Sequence, residues 1–328
     1  MMIQDVRHAM PPGASEVLEE GLSAFLGRPA RLAAVECEPL DTSSHPIDRL
    51  RLTLASGERL PVVFKRLQPG EDLYGNEREV LVYRRLLCGR LLGAPALYAS
   101  VYDPARGRYW LFLEDLGRST LAEGDWDEWL AAVRWLGEMH GTYAGREDEL
   151  RGLGCLMEHG PAYYHKVAET AQRNLDLADD RRALARFGAL MERFDPLVAY
   201  LARQPRTLVH GDLFAENLVV GPGGRVRAID WESAAVGLGA WELARLLDGW
   251  GRHKAAFVSA YLAEFERHAA VPPEPQTFAA LFARCEILTA LWHLRWSAQA
   301  CRNAAFVDDH LSKMETVWDR LARERDDG

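Results

Sequence analysis

Residues 210–217, HGDLFAEN, and residues 229–232, IDWE, decide the fold of this chain. They place Asp212 five residues before Asn217 and eighteen residues before Asp230. Between them, the turn at residues 221–224, GPGG, is expected to fold the chain back and to bring Asn217 and Asp230 to one side. Phosphoryl transfer needs oxygen ligands for Mg²⁺ and a carboxylate that orients the attacking hydroxyl, and this spacing favours such chemistry.

Outward from this stretch, the N-terminal third of the chain is predicted to form strands. Residues 47–55, IDRLRLTLA, alternate apolar and polar side chains with the period of a half-buried strand. A Ser-Gly turn joins them to residues 60–67, LPVVFKRL, and this pair is typical of a β-hairpin. Residues 96–102 and 108–114 predict a second hairpin, and a helix is predicted over about residues 76–92.

After Gly117 the pattern changes to long amphipathic helices, interrupted by two short strands, TLVHGDL and VRAIDW. A strand-rich beginning and a helical remainder predict an α+β fold with two lobes. We assign residues 1–115 to a small lobe built on a nucleotide-binding sheet and one helix. Residues 116–328 form the larger helical lobe, which carries the catalytic loop and the substrate site.

Composition excludes several classes of function. The 39 Lys and Arg against 48 Asp and Glu give a net charge of −9, which argues against nucleic acids and anionic membranes as partners. The five cysteines are scattered and odd in number, which argues against a disulfide framework and a zinc site. The chain has no apolar run of 18 residues and no G-x-x-x-x-G-K-[ST] motif. We therefore expect a cytoplasmic protein outside the P-loop NTPase class.

HGDLFAEN followed by IDWE resembles the aminoglycoside phosphotransferase and choline kinase-like family, which is distantly related to protein kinases. Three further segments are similar to that family: residues 62–67 to its third strand, residues 77–83 to the helix that follows, and residues 111–117 to its hinge. The resemblance spans about residues 47–247 and implies a two-lobed, protein-kinase-like fold.

The resemblance implies roles for the residues of the deciding stretch. Asp212 would be the catalytic aspartate, and Asn217 and Asp230 would be the ligands of Mg²⁺. His210 would bond to the backbone and hold the loop. The co-substrate would be ATP or GTP.

The resemblance also implies a nucleotide site in the small lobe. Lys65 would contact the α- and β-phosphates and would pair with Glu79. Glu77 is the competing partner for Lys65, but its position favours the solvated face of the helix. The Leu113 carbonyl and the Asp115 amide would meet the adenine ring.

The chain departs from the family at its first hairpin turn, residues 40–46, LDTSSHP, because no glycine-rich loop is present. The small hydroxyl residues Ser43 and Ser44 would have to contact the phosphates instead.

Acidic residues are candidates for the acceptor site. Glu216, Glu232, Asp127 and Glu128 would attract a positively charged acceptor, although each could equally be a solvated residue or open a helix. Trp292 and Trp296, four residues apart, could line a cage for a quaternary ammonium, but helix core is the commoner reason for such a pair.

These observations favour a small-molecule kinase that moves the γ-phosphate of ATP or GTP to a hydroxyl group. The acceptor could be cationic, such as an aminoglycoside or another antibiotic, or an amino alcohol. One alternative is a nucleotide-binding module without catalysis, which the missing glycine-rich loop leaves open. A protein kinase is a second alternative, disfavoured because the motifs read HGD and DWE instead of HRD and DFG.

Overall fold

The computed structural model describes residues 10–40, 45–69, 75, 77–88 and 92–326. The described residues divide into two compact units. The first contains residues of Met1–Glu128, Leu153–Leu156 and Ala215–Ala234, and the second contains Trp129–Gly152, Met157–Phe214 and residues of Ala235–Gly328.

The first unit is built on a five-stranded antiparallel sheet. Its strands are Leu32–Leu40 (β1), Ile47–Leu54 (β2), Arg59–Leu67 (β3), Leu97–Asp103 (β4) and Arg108–Glu114 (β5). Their spatial order is β1-β2-β3-β5-β4, so β3 and β5 are interior strands. Alternation in β2 buries Leu50, Leu52 and Leu54 in the core of this unit and exposes Arg51, as the sequence predicts.

Helix α1, Ala14–Leu26, packs against β4. Its Gly21 makes this packing close, because a Cβ at this position would lie 2.3 Å from the Tyr98 carbonyl oxygen. The Leu18 and Leu22 side chains of the same helix are fully buried in the core below the sheet. Apolar burial on one helix face therefore fixes α1 on the sheet.

The second helix of this unit changes its winding. It begins as the α-helix Arg78–Val82 (α2) and continues as a π-helical turn, Tyr83–Leu87. The Cys88 N–H donates to the Tyr83 carbonyl at 2.8 Å, a bond that spans five residues. The sequence predicts an uninterrupted helix here, since a π turn has no composition of its own.

A short hairpin completes the first unit. Its strands are Leu218–Gly221 (β8) and Arg225–Ala228 (β9), joined by the turn Pro222–Gly224. Gly223 and Gly224 have φ angles of 75° and 73°, which side chains with a Cβ rarely adopt. The glycines thus allow the reversal that the sequence predicts.

The second unit is mainly helical, as predicted. Its helices are Trp126–Tyr143 (α3, from residue 129 onward), Glu147–Gly152 (α4), Pro161–Ala178 (α5), Arg181–Met191 (α6), Phe194–Leu201 (α7), Gly239–Leu246 (α8), Lys254–His268 (α9), Pro275–Trp296 (α10), Ala298–Cys301 (α11) and Ala304–Asp326 (α12). Three short strands form a small sheet in the order β6-β10-β7: Met157–Glu158 (β6), Thr207–Val209 (β7) and Ala235–Gly237 (β10). Helix α10 packs against α5, α8 and α12 at the centre of this unit.

Candidate active site

Lys65 lies buried in the first unit between two carboxylates. It projects from β3, and its Nζ donates to Glu79 Oε1 at 2.9 Å and Oε2 at 2.8 Å. The same ammonium group forms an ion pair with Asp230. Burial alone lowers the pKa of Lys65, but the charges of Asp230 and Glu79 outweigh it and raise that pKa above its ordinary value. Lys65 is therefore a charged amine in a buried position, directed at Asp230.

Glu79 also fixes the backbone next to Asp230. Its side chain is fully buried on α2, and its Oε1 accepts a hydrogen bond from the Trp231 N–H at 3.1 Å. Glu77, the alternative partner considered from the sequence, is partly exposed. The structure thus brings Lys65, Glu79 and Asp230 together.

Asn217 and Asp230 lie at the open end of the β8–β9 hairpin. The Ile229 N–H donates to the Asn217 carbonyl at 2.9 Å. The residue just before Asp230 in the chain is therefore hydrogen-bonded to Asn217. Asp230 has a φ angle of 62°, in the left-handed region, where aspartate is one of the residues that occur. The hairpin therefore brings the backbone positions of Asn217 and Asp230 close together.

This donor set fits Mg²⁺. The ion binds oxygen ligands and commonly takes one or two carboxylates from the protein, completing its shell with phosphates and water. Within the described ranges, no cluster of three or more His, Cys, Asp or Glu side chains forms a complete protein cage for a metal ion.

The predicted hinge residues lie at the end of β5. Leu113 is buried and pairs with Val63 of β3. The Asp115 amide donates to the Pro61 carbonyl at 3.4 Å, and its carboxylate binds the Arg49 guanidinium, with Nε–Oδ2 at 2.6 Å. The Arg49–Asp115 pair, which sequence reasoning did not identify, fixes the chain where it leaves the sheet.

The turn that replaces a glycine-rich loop is described only in part. Ser43 and Ser44 lie outside the described residues. His45 follows them and is buried, and burial together with the charge of Lys65 lowers the pKa of His45 to about 4. A neutral imidazole therefore lies near Lys65 at neutral pH, a feature that the sequence reasoning missed.

The acidic acceptor candidates belong to the first unit and have different environments. Glu216 is exposed on the turn Ala215–Asn217, and the Glu232 carbonyl accepts a hydrogen bond from Arg78 at 3.3 Å. Glu128 Oε2 accepts from the Asp125 N–H at 2.9 Å, while Asp125 Oδ1 accepts from the N–H groups of Asp127 and Glu128, each at 3.0 Å. Asp125 and Glu128 thus form a reciprocal cap on the start of α3.

The loop that carries Asp212 is held within the second unit by Glu242 of α8. Glu242 Oε2 accepts from the His210 N–H at 3.0 Å, and its Oε1 accepts from the Gly211 N–H at 2.7 Å. His140 Nε2 lies 3.1 Å from Glu242 Oε2, and its Nδ1 lies 2.8 Å from the Tyr261 hydroxyl. The fully buried Glu242 is therefore the residue that fixes the backbone of this loop.

Burial raises the pKa of Glu242, but the hydrogen bond with His140, the electrostatic influence of His140 and His210, and the hydrogen bond from the Gly211 N–H outweigh this effect and lower the pKa to about 2. Glu242 is consequently ionised over the physiological range. Sequence reasoning missed it because its partners are more than 30 residues away along the chain.

Trp292 belongs to the helix core, as the commoner interpretation of the Trp292–Trp296 pair predicts. It is buried on α10, whereas Trp296 is 64% exposed. The guanidinium carbons of Arg245 and Arg295 lie 4.3 and 4.8 Å from the centre of the Trp292 ring. Protein cations therefore already contact the indole that a quaternary ammonium cage would need.

A protein-family model covers most of this chain. The model of the phosphotransferase enzyme family matches residues 48–281. Among curated proteins, no sequence matches this chain. Within the described residues, no helix has the length and apolar character needed to span a membrane.

Solved kinases share the fold at low sequence identity. Choline kinase from Cryptosporidium parvum Iowa II is 13% identical, with a TM-score of 0.58 over 88% of this chain and 90% of the other. Choline kinase LicA from Streptococcus pneumoniae is 17% identical, with a TM-score of 0.56 over 92% and 97%. The GDP complex of an aminoglycoside 2′-phosphotransferase is 14% identical, with a TM-score of 0.57 over 87% and 92%. The predicted kinase-like α+β fold is therefore confirmed.

Proposed function

Since this chain belongs to the phosphotransferase enzyme family, we propose that it transfers the γ-phosphoryl group of ATP or GTP to a hydroxyl group of a small molecule. The observation that carries the proposal is the buried contact of Lys65 with Glu79 and Asp230. A lysine held by a helix glutamate beside a metal-binding aspartate is the arrangement that kinase-type phosphoryl transfer uses.

The proposed reaction divides among these residues. The acceptor oxygen forms a bond to the γ-phosphorus while the bond from phosphorus to the β–γ bridging oxygen breaks, and the nucleoside diphosphate leaves. Asp212 orients the acceptor hydroxyl and takes its proton. Lys65 binds the α- and β-phosphates. Asn217 and Asp230 would hold Mg²⁺, which supplies neutralisation of the phosphate charge.

Use of a nucleotide co-substrate is supported by solved structures of the same fold. One of them is a complex of an aminoglycoside phosphotransferase with GDP, and another is LicA in complex with AMP. We extend nucleotide use to this chain because its own Lys65–Glu79 pair is formed. The Leu113 carbonyl remains a proposed contact of the base. The Asp115 amide, which donates to the Pro61 carbonyl at 3.4 Å, would have to exchange this long hydrogen bond for one to the base.

The acceptor is proposed to be a hydroxylated compound that carries a positive charge. The net charge of −9 supports this choice, and relatives of the same fold include kinases named for choline, ethanolamine and aminopropanol. Glu216, Glu232, Asp127 and Glu128 are the proposed acceptor contacts, and Glu128 also accepts a hydrogen bond from the Asp125 N–H.

Phosphoryl transfer from radiolabelled ATP and GTP to a panel of amino alcohols, aminoglycosides and neutral sugars tests the proposal. We expect turnover on the order of 1–100 s⁻¹ with the true acceptor. Asp212→Asn should retain nucleotide binding in calorimetry but lose turnover by several orders of magnitude. Asp195→Asn, which changes an 88%-exposed carboxylate of the same unit, is the matched control.

A second pair of variants tests the metal site. Asp230→Ala should abolish Mg²⁺-dependent nucleotide binding more completely than Asn217→Ala, because only Asp230 contributes a charge. Near-wild-type turnover of Asp212→Asn, or unchanged Mg²⁺-nucleotide affinity of Asp230→Ala, would contradict the assigned roles. A wild-type protein that binds nucleotide but phosphorylates no acceptor in the panel would favour a non-catalytic module.

A further inference from the structure

A buried arginine contacts the aspartate to which we assign proton transfer. Arg245 lies on α8, three residues after Glu242, and only 2% of its side chain is exposed. Its Nη1 donates to the Gly211 carbonyl at 2.7 Å, and its Nη2 donates to Asp212 Oδ1 at 3.3 Å. One guanidinium group therefore binds both the backbone and the side chain of the loop.

Three aromatic rings enclose this guanidinium. Its central carbon lies 4.3 Å from the centre of the Trp292 ring, 5.0 Å from that of Phe214 and 5.6 Å from that of Trp241. Cation–π contacts favour an arginine over a lysine in such surroundings. They also restrict the side chain, so that the direction of its two donor nitrogens is fixed.

Burying this charge is costly, which makes its position informative. Burial lowers the pKa of Arg245, yet a guanidinium remains charged in proteins. A charge removed from water needs a partner of opposite sign. Asp212, whose side chain is 31% exposed, and Glu242 are the acidic groups that favour the charge of Arg245. If Arg245 only filled space in the core, an apolar residue could take its place and avoid the free-energy cost of burying a charge.

We propose that Arg245 is a positioning residue for Asp212, a role that rests on the proposed function. By holding Oδ1, Arg245 fixes the rotation of the carboxylate and assigns the other oxygen, Oδ2, to the acceptor hydroxyl. By holding the Gly211 carbonyl, it keeps the loop from moving away from α8. Glu242 holds the N–H groups of His210 and Gly211 from the same helix, so α8 determines both the backbone and the side-chain geometry of the loop.

Kinetics of Arg245→Met and Arg245→Lys test this role, with rates normalised to the folded fraction from nucleotide-binding stoichiometry. Misplacement of a catalytic group by about 1 Å costs on the order of 10²-fold in rate. We expect Arg245→Met to lower kcat by about this factor with the KM for nucleotide unchanged. Arg245→Lys should be intermediate, because an ammonium is a single point charge and lacks the fork that reaches both acceptors.

Arg295→Met is the matched control. It removes a cation from the same Trp292 ring, where the Arg295 guanidinium carbon lies 4.8 Å from the centre, and leaves both Arg245 hydrogen bonds in place. We expect its kcat to stay within about twofold of wild type, well below the effect that misplacing a catalytic group produces. If Arg245→Met fails to fold, Arg245→Lys decides: a lowered kcat with unchanged nucleotide KM supports the role, and wild-type kcat overturns it.

The outcomes separate this inference from the proposed function. An active wild type with an equally active Arg245→Met would overturn the positioning role alone. Equal losses in Arg245→Met and Arg295→Met would also overturn it, because they would indicate a general packing effect. A wild type without phosphoryl transfer would overturn the proposed function and, with it, the role of Arg245.

Discussion

At the scale of single residues, Lys65 keeps its charge in a buried position because two carboxylates face its ammonium group. The Glu79 carboxylate is the one that is fully buried, and it also accepts the Trp231 N–H. Loss of Glu79 therefore affects both the lysine and the backbone beside Asp230.

We expect Glu79→Ala to lower the free energy of unfolding by about 3–5 kcal/mol, the usual effect of removing one partner of a buried ion pair. Glu77→Ala, at a partly exposed site two residues earlier, should change it by less than about 0.5 kcal/mol. Urea unfolding of the three proteins measures both values. Similar losses for the two variants would contradict a special role of Glu79.

At the scale of elements, the first turn of α3 shows how an acidic cluster can serve a helix. Asp125 and Glu128 satisfy N–H groups that otherwise lack intrahelical partners. We expect Asp125→Ala to lower the free energy of unfolding by about 1 kcal/mol. Asp127→Ala, which changes an exposed residue, should have an effect of only a few tenths.

The Glu128→Ala variant distinguishes helix capping from acceptor binding at this position. If Glu128 serves the helix alone, Glu128→Ala lowers stability and leaves the KM for the acceptor unchanged. A raised acceptor KM without a change in stability would indicate that its carboxylate binds the acceptor.

Helix α8 links the stability of the second unit to pH through Glu242. Its pKa is about 2 in the folded protein against an ordinary value of 4.5, so its ionised form stabilises the fold above pH 4.5. This contribution, on the order of 3 kcal/mol, is lost as pH falls from 4.5 through 2. The destabilisation caused by Glu242→Gln should therefore be large at pH 7 and clearly smaller at pH 3.

Urea unfolding at the two pH values checks this, with Glu169→Gln at an exposed helix position as control. A Glu242→Gln effect that is equal at pH 7 and pH 3 would show that the carboxylate contributes through packing and not through its charge.

Sequence patterns predict where the strands form better than they predict which strands pair with each other. The alternation in IDRLRLTLA and the short apolar run in RYWLFLE are local signals, and β2 and β5 appear where these signals predict strands. The predicted strand at TLVHGDL exists as β7, but it pairs with β10, a three-residue strand that was not predicted. So short a segment carries no readable period, and its pairing depends on tertiary contacts.

The same distinction holds for the site. Asp212, Asn217 and Asp230 were identified by a fixed spacing in the chain, and Lys65 and Glu79 by a strand followed by a helix. Arg245 and Glu242 lie about 30 residues from the loop that they hold, and only the folded helix brings them to it. The roles of these site residues and the lobe boundary at residues 115 and 116 stay predictions.

At the scale of the whole molecule, the net charge of −9 favours capture of cations. For a cationic acceptor, kcat/KM should fall steeply as salt rises from 0.01 to 0.15 M, because the Debye length shrinks from about 30 Å to about 8 Å. Electrostatic steering of a charged substrate raises the association rate by roughly 10–10³-fold. A flat response, or a preferred substrate that is neutral or anionic, would contradict a cationic acceptor and leave the kinase assignment intact.

The π-helical turn Tyr83–Leu87 affects how this chain should be aligned with its relatives. Such a turn holds one residue more than the α-helical turn it replaces, and one residue corresponds to about 100° of helix rotation. An alignment with a relative whose helix is regular therefore needs a one-residue gap between Glu79 and Cys88. Without that gap, either the glutamate on α2 or the segment after residue 88 is matched to the wrong position.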